Sequence, residues 1–312
     1  MGLNVRHQRR VVDLAILREN VRLICQAVPD TARVMAVVKA DAYGHGLAPV
    51  AKEALLAGAS WLAVATVEEG AALREAGVAA PILALGATSP DEAMAAVPLD
   101  ITLTVCTPEM VRSVQAAAVC CHHDAPVHLK LDTGMNRIGV RDEGELRAVM
   151  ETLSDCPDVR LTGAFTHFAD ADGQDMAFTD EQFHRFTRLT SLLPKGLLRH
   201  CCNSAATHRC PEAALDMVRA GISMYGYPPV ETSLPLRPFM SWETEVTYVK
   251  TLHPGDTVSY NRCYTAERPI VLATVSCGYG DGYHRAATGK AEVLIHGRRA
   301  PVVGRICMDQ MM

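Results

Sequence analysis

Arg33-Val34-Met35-Ala36-Val37-Val38-Lys39-Ala40-Asp41-Ala42-Tyr43-Gly44-His45-Gly46 decides the reading of this chain. Arg33 to Val38 reads as a buried parallel strand whose apolar run is Val34 to Val38, and Lys39 emerges at its C-terminal end, where α/β proteins build their sites. A glycine-broken turn with a tyrosine and a histidine follows at once. An amine partly withdrawn from water loses some preference for its charged form, and a neutral amine condenses with an aldehyde. Lys39 is therefore a candidate covalent nucleophile, although taken alone the commoner reading is a strand-end lysine reaching for solvent.

Outward from this segment, helical and strand patterns alternate from about residue 11 to about residue 230 at the spacing of βα units. An amphipathic helix (Leu14, Leu17, Val21, Ile24, Cys25) comes first. Strands are predicted at 34–39, 61–65, 82–85, 101–105, 127–131, 161–166, 198–202 and 217–220, with helices at 48–57, 68–76, 108–119, 142–153 and 181–193. Eight strands with intervening helices is the count of a closed (β/α)8 TIM barrel. An open doubly wound sheet is the alternative, but no G-x-G-x-x-G fingerprint follows any strand.

After Tyr227 the helical period stops. Pro228, Pro229, Pro235 and Pro238 form a connector, and the runs 243–250 and 270–275 alternate as strands, with Gly255 and Gly297 at turns. The boundaries read as a barrel over 1–230 and a C-terminal, mostly β domain over 236–312.

The 312 residues suffice for a barrel and a smaller domain, and 49% hydrophobic with 21% charged residues is ordinary for a globular protein. A net charge of −5 carries no basic bias, which argues against nucleic acid as a partner. No stretch approaches the ~20 apolar residues of a membrane span, and Met1 to Arg10 has no apolar signal core, so a cytoplasmic location is expected. Eleven cysteines are odd in number and never spaced C-x-x-C, so free thiols are expected. Cys120-Cys121-His122-His123 and the stretch holding His200, Cys201, Cys202, His208 and Cys210 suggest ligands. Adjacent ligands on one loop rarely converge on one ion, and no metal is expected.

Catalytic groups of a barrel come from the ends of several strands. The fifth strand leads into Lys130-Leu131-Asp132-Thr133-Gly134-Met135-Asn136-Arg137, the sixth into His167-Phe168-Ala169-Asp170, the seventh into Asn203-Ser204-Ala205, and the eighth into Arg219-Ala220-Gly221-Ile222-Ser223-Met224-Tyr225. The β region carries Gly278-Tyr279-Gly280-Asp281-Gly282-Tyr283 and Gly304-Arg305-Ile306-Cys307-Met308-Asp309-Gln310. Each has a bland reading: an inward polar lysine, a bonded core histidine, a surface arginine before a turn, a tyrosine in turn architecture. In this order, together with Lys39-Ala-Asp-Ala-Tyr-Gly-His-Gly46, the motifs resemble those of the alanine racemases, and the resemblance runs from about residue 10 to the end.

The resemblance implies a pyridoxal 5'-phosphate enzyme in which Lys39 holds the cofactor covalently and is one of two bases. It gives the second base as Tyr279, supplied by the partner subunit of a homodimer with a shared site. Tyr43, Ser204, Gly221, Ile222 and Tyr225 would serve the cofactor, the first four near its phosphate. His167 would orient the catalytic tyrosine, and Arg219 would face the pyridine nitrogen. Arg137 and the Met308 backbone N–H would meet the substrate carboxylate, and Lys130 would be carbamylated. A guanidinium, always charged, donates to the ring nitrogen without protonating it, which favours racemisation over rival reactions. The expected substrate is alanine, with serine or broader specificity open, and the expected role is D-alanine supply for the bacterial wall. A non-catalytic cofactor-binding barrel would need no Gly278-Tyr279-Gly280 segment, and a decarboxylase or aldolase would suit a carboxylate in place of Arg219. Family members continue for several strands beyond the C-M-D-Q motif, including a phosphate-contacting tyrosine, so with Met312 as its last residue the β domain is expected to be incomplete.

Overall fold

The computed structural model describes residues 7–312, so the first six residues of the span read as barrel lie outside it. Eight parallel strands run in the sheet order Leu198–His200, Val159–Phe165, Ala125–Lys130, Ile101–Val105, Ile82–Ala84, Trp61–Val64, Arg33–Val37, Met217–Ala220. The eighth strand in sequence pairs with the first, Arg33 opposite Met217 and Met35 opposite Arg219. It also meets the seventh, since Asp216 N–H donates to Arg199 O (3.2 Å) and Arg219 N–H to Cys202 O (3.1 Å). The sheet thereby closes on itself, and the open doubly wound alternative is excluded.

The helices cover the barrel for reasons visible in their ends. Asp13 caps Leu14–Ala27, Thr66 caps Val67–Glu75, Thr107 caps Pro108–Cys121 and Asp142 caps Glu143–Ser154, each accepting from N–H groups the helix leaves free. A helix over Pro90–Ala96 has a full capping box, Ser89 with Glu92, and was not among the helices expected from periodicity. Inside the barrel Met35, Val37, Ala63, Leu83, Phe165 and Met217 form a buried cluster, so the cylinder is filled by side chains rather than hollow.

The chain divides into a unit of Asp13–Phe239 and a second unit of 240–312 joined by the N-terminal segment up to Val12. This differs from the boundaries read at 1–230 and 236–312. Gln8–Val12 pairs antiparallel with Met240–Thr244, Arg9 opposite Glu243, so strand pairing takes the N-terminal residues out of the barrel. The connector to Phe239 stays with the barrel because Asn20 accepts from Arg237 N–H and donates to Arg237 O, and Asp13 N–H donates to Phe239 O.

The second unit is built of short antiparallel pairs: Val246–Leu252 with Ile270–Val275, Thr257–Val258 with Tyr264–Thr265, and Glu292–Ile295 with Arg298–Pro301. Leu252, Val258, Ala266, Leu272 and Val303 form its core. Val246, Tyr248, Val249 and Val271 remain exposed on it.

Candidate active site

At the C-terminal rim of the barrel lies a cavity of about 530 Å³ whose wall includes Lys39, Tyr43, Lys130, Arg137, His167, Ser204, Arg219, Gly221 and Ile222. Nine of the residues singled out in the sequence thus share one chamber, because the ends of parallel strands all fall on one rim. Tyr225 does not line it. Its hydroxyl donates to Val37 O (3.1 Å), it is fully buried, and its ring packs on Tyr43 at 4.5 Å, so it supports Tyr43 from behind. Tyr279 and Met308 belong to the second unit. There Tyr279 N–H donates to Cys307 O (3.0 Å), Gly280 N–H donates to Met308 O (2.8 Å), and a Cβ on Gly278 would stand 2.4 Å from Met308 backbone, so the two turns are stacked.

The turn after Lys39 is unusual. Ala40, Asp41, Ala42 and Tyr43 all have positive φ, between 52° and 54°, a left-handed turn of non-glycine residues costing roughly 1–2 kcal/mol each. Gly44 (φ 80°) and Gly46 (φ 101°) break the chain as expected, and four side-chain-bearing residues before them take the left-handed conformation as well. Leu47 N–H donates to Asp41 Oδ1 (2.8 Å), Gly46 N–H to Asp41 O (2.9 Å), and Ala42 N–H to Val38 O (2.8 Å). Backbone held in such a region is characteristic of functional sites.

Arg219, 3% exposed, lies at the end of the eighth strand. Its Nη1 donates to His200 O (2.9 Å) and Nδ1 (3.0 Å), and its Nη2 to Thr166 O (2.7 Å), Cys201 O (2.9 Å) and His167 Nδ1 (3.2 Å). No carboxylate pairs with it among the described residues. Burial pulls the guanidinium down to about 10, which still leaves it charged at neutral pH. Burial, reinforced by the charges of Arg219 and Lys130, pulls His167 to about 3, so this imidazole is neutral.

Lys130, 2% exposed, donates from Nζ to Leu131 O (2.9 Å) and stands 5.3 Å from the centre of the Phe165 ring. Burial first, then the Arg219 charge, lowers it to about 7, so a large neutral fraction exists at physiological pH. Arg137 is carried by a loop whose N–H groups at Gly134 (3.0 Å), Asn136 (3.0 Å) and Arg137 (3.1 Å) all donate to the Asp132 carboxylate. Ser204 Oγ accepts from Gly221 N–H (3.0 Å) and Ser223 N–H (3.3 Å), leaving its own proton to donate. A Cβ on Gly221 would come within 3.1 Å of Tyr43 Oη and 3.5 Å of Ser204 Oγ, so those hydroxyls converge where glycine leaves room.

Several residues around the site were given no role in it from the sequence. His200 and His128 lie behind Arg219, Asp172 and Asn203 are on the cavity wall, and Glu69 binds the turn after Lys39. In the second unit Tyr260 is 67% exposed on a turn where Ser259 (φ 65°), Asn261 (61°) and Arg262 (52°) are all left-handed. In the Val258-Ser259-Tyr260-Asn261 stretch only Asn261 has a side chain that commonly accompanies left-handed backbone. All eleven cysteines are free thiols, and among the described residues no three His, Cys, Asp or Glu side chains form a metal set. No helix among the described residues is long and apolar enough to cross a membrane.

A lysine on a strained turn, a buried arginine held by neutral acceptors and a hydroxyl-lined cradle at one barrel rim define a (β/α)8-barrel enzyme with a C-terminal β domain. Residues 12–229 match the family model "Alanine racemase, N-terminal domain", and residues 239–312 match "Alanine racemase, C-terminal domain". The chain is 44% identical over 307 residues to alanine racemase 2 of Oceanobacillus iheyensis, covering 96% of this chain and 78% of that protein. It is 45% identical over 308 residues to alanine racemase of Desulfovibrio desulfuricans, covering 96% and 83%. The solved alanine racemase of Bacillus anthracis with bound L-Ala-P superposes with a TM-score of 0.94 at 38% identity, covering 99% of this chain and 82% of that one. A histidine racemase from Leuconostoc mesenteroides gives a TM-score of 0.90 at 30% identity, covering 99% and 85%. The chain belongs to the alanine racemase family, and it is an isomerase of that family.

Proposed function

We propose that this chain interconverts L-alanine and D-alanine with pyridoxal 5'-phosphate as cofactor. The observation that carries the reading is the single cavity joining Lys39, Arg219 and the Tyr43–Ser204–Gly221 cradle. The cradle fits the cofactor: it offers two hydroxyls around a position where a methyl group would crowd them, as a phosphate requires. Lys39 would supply the covalent anchor, Tyr43, Ser204, Gly221 and Ile222 would hold the phosphate, and Arg219 would serve the ring nitrogen. Tyr225 acts through Tyr43. When bound, the cofactor withdraws electrons from the substrate Cα and acidifies its proton.

The protein's own groups then divide the work. Lys39 Nζ, as a free amine at the cavity wall, would take the α proton on one face or return it there. Arg219 donates without giving up its proton, which limits electron withdrawal and favours return of the proton to Cα. Arg137 would offer a planar fork to the substrate carboxylate, and the Met308 N–H would join it from the β domain of a second copy. Lys130 as a carbamate would place a negative charge beside Arg137 and Arg219.

The opposite face needs a second base, and the β domain offers two tyrosines. Tyr279 is the one read from the sequence; it is 41% exposed with the Arg285 guanidinium 5.6 Å from its ring. The left-handed turn around the more exposed Tyr260 favours that residue over Tyr279. Either would come from a second copy in a homodimer, for which the exposed Val246, Tyr248, Val249 and Val271 provide apolar surface. The barrel unit and the β unit are accordingly the cofactor domain and the domain that completes a partner's site, in a protein of the cytoplasm.

The test is incubation of purified protein and cofactor with L-alanine in deuterated water. D-alanine bearing deuterium at Cα is the expected product. Retention of an aldehyde-adduct absorbance band in Lys39→Ala would sink the assignment of Lys39, and racemisation of serine or histidine at the alanine rate would sink the substrate.

A further inference from the structure

Glu69 sits at the third position of the helix Val67–Glu75, with Thr66 as N-cap. The pair has the T-x-x-E pattern of a capping box, in which the glutamate reaches back to the N-cap backbone. Here it does something else. Its Oε1 accepts from Ala40 N–H, 29 residues away in sequence, and its Oε2 accepts from Ala65 N–H at 2.7 Å. The first of these N–H groups belongs to the peptide bond that follows Lys39, at the entry to the left-handed turn. The second lies at the end of the neighbouring strand, and both Lys39 and Ala65 line the cavity. One carboxylate therefore ties the Lys39 peptide to the adjacent rim position, using both oxygens on charge-assisted bonds.

We propose that Glu69 is a positioning residue for Lys39: it holds the Lys39–Ala40 peptide so that the amine enters the cavity in one orientation. The proposal rests on the reading of Lys39 as the covalent anchor. The strained conformation makes the tie consequential, because four left-handed residues relax toward ordinary backbone unless anchored at the point of entry. Both bonds need acceptors. Glutamine presents one oxygen and an NH2 group that would face an N–H, so Glu69→Gln breaks one bond despite its matching shape. Glu69→Asp keeps two oxygens on a shorter stem.

Two measurements on the full-length protein test this. The first is hydrogen–deuterium exchange over residues 38–47, compared with peptides from barrel strands elsewhere. The second is the rate at which added pyridoxal phosphate is trapped on Lys39 by borohydride, read by peptide mass mapping with the other lysines as internal controls. Glu69→Gln and Glu69→Ala are expected to speed exchange in 38–47 and at Ala65, with barrel strands elsewhere unchanged, and to slow Lys39 trapping about tenfold or more, with Glu69→Asp between them and wild type. Unchanged exchange in both variants overturns the tie. Faster exchange with trapping at the wild-type rate overturns the positioning role. Failure of the wild-type protein to be trapped at Lys39 overturns the cofactor reading, and this proposal with it, whereas trapping in wild type and variants alike overturns this proposal alone.

Discussion

Arg219 donates from Nη1 to Nδ1 of His200 across 3.0 Å, and because a guanidinium has no acceptor, His200 must present a lone pair there. The His200 proton is then on Nε2, aimed at Nδ1 of His128, 3.0 Å away. His128 in turn carries its proton on Nε2, which finds no partner among the described residues and abuts Gly163, where a Cβ would come within 2.6 Å. The charge of Arg219 thus fixes two neutral tautomers in a row inside the barrel.

Acid sensitivity follows from that chain. Burial lowers His128 from the usual 6.5 to about 3, and burial together with the Arg219 charge holds His200 well below its usual value. Below pH 6.5 the unfolded chain takes up protons that the folded state refuses, so the unfolded state binds more and stability falls as pH falls. The contribution is complete above about pH 6.5 and is lost toward pH 3, at up to about 1.4 kcal/mol per pH unit per histidine. The urea midpoint is expected to drop between pH 7 and pH 5, and His128→Leu to show a shallower drop. Parallel pH profiles for the two proteins would contradict the assignment.

How much of this was legible in the sequence depends on what each residue's neighbours are. Lys39 and Arg219 stood at the ends of the first and eighth strands, and parallel strands of a barrel end on one rim, so their meeting followed from periodicity and strand count. The strand Gln8–Val12 was hidden because its sequence, Gln-Arg-Arg-Val-Val, is extended only through pairing with Met240–Thr244. Pro90–Ala96 had a signal in Ser89-Pro90-Asp91-Glu92 that periodicity alone did not use. The left-handed turn had only Asp41 as a signal, since alanine and tyrosine have no preference for that conformation and hydrogen bonds impose it. The bond from Arg219 to His200 and the tie from Glu69 to Ala40 were invisible for the same reason: the partners are 19 and 29 residues apart.

Lys130 is expected to be a carbamate when bicarbonate is present. Its neutral fraction near pH 7 can attack carbon dioxide, forming an N–C bond and releasing a proton, and the product would sit beside two arginines instead of an unpaired ammonium. Native mass spectrometry in bicarbonate should show one carbamate per chain, absent in Lys130→Met. Racemisation should fall in carbon dioxide-free buffer and recover on adding bicarbonate. A single unmodified mass in bicarbonate would exclude the modification.

Asp132 is expected to matter for substrate capture more than for chemistry. Its carboxylate gathers three N–H groups of the loop that carries Arg137, and Gly139 packs so closely that a Cβ there would stand 2.6 Å from Asp132 N. Asp132→Ala releases the loop, which spreads the Arg137 fork over many orientations. KM for alanine should rise about tenfold or more with a smaller change in kcat, because a group lost from ground-state and transition-state binding alike acts on KM. Steady-state kinetics on Asp132→Ala and Asp132→Asn would show the split, and an unchanged KM in both would remove Arg137 from the carboxylate site.

The two tyrosines make separable predictions. Inverting a carbon requires proton removal from one face and delivery to the other, so losing one base leaves the other able to exchange the α proton of one enantiomer with solvent. In deuterated water the variant that lacks the true second base should place deuterium in one enantiomer of alanine without forming its mirror image. Its racemisation should fall by roughly 10²–10⁴-fold. Ser259, Asn261 and Arg262 hold left-handed backbone around Tyr260, with Ser259 Oγ donating to Arg305 O at 2.6 Å, whereas Tyr279 sits on an ordinary glycine-flanked turn. Strain of that kind persists only where the surrounding structure enforces it, and it puts Tyr260 first. Tyr260→Phe is therefore expected to show the one-sided exchange, with Tyr279→Phe still racemising. The reverse result would return the role to Tyr279, and wild-type racemisation by both variants would remove the β-domain tyrosines from the proton path.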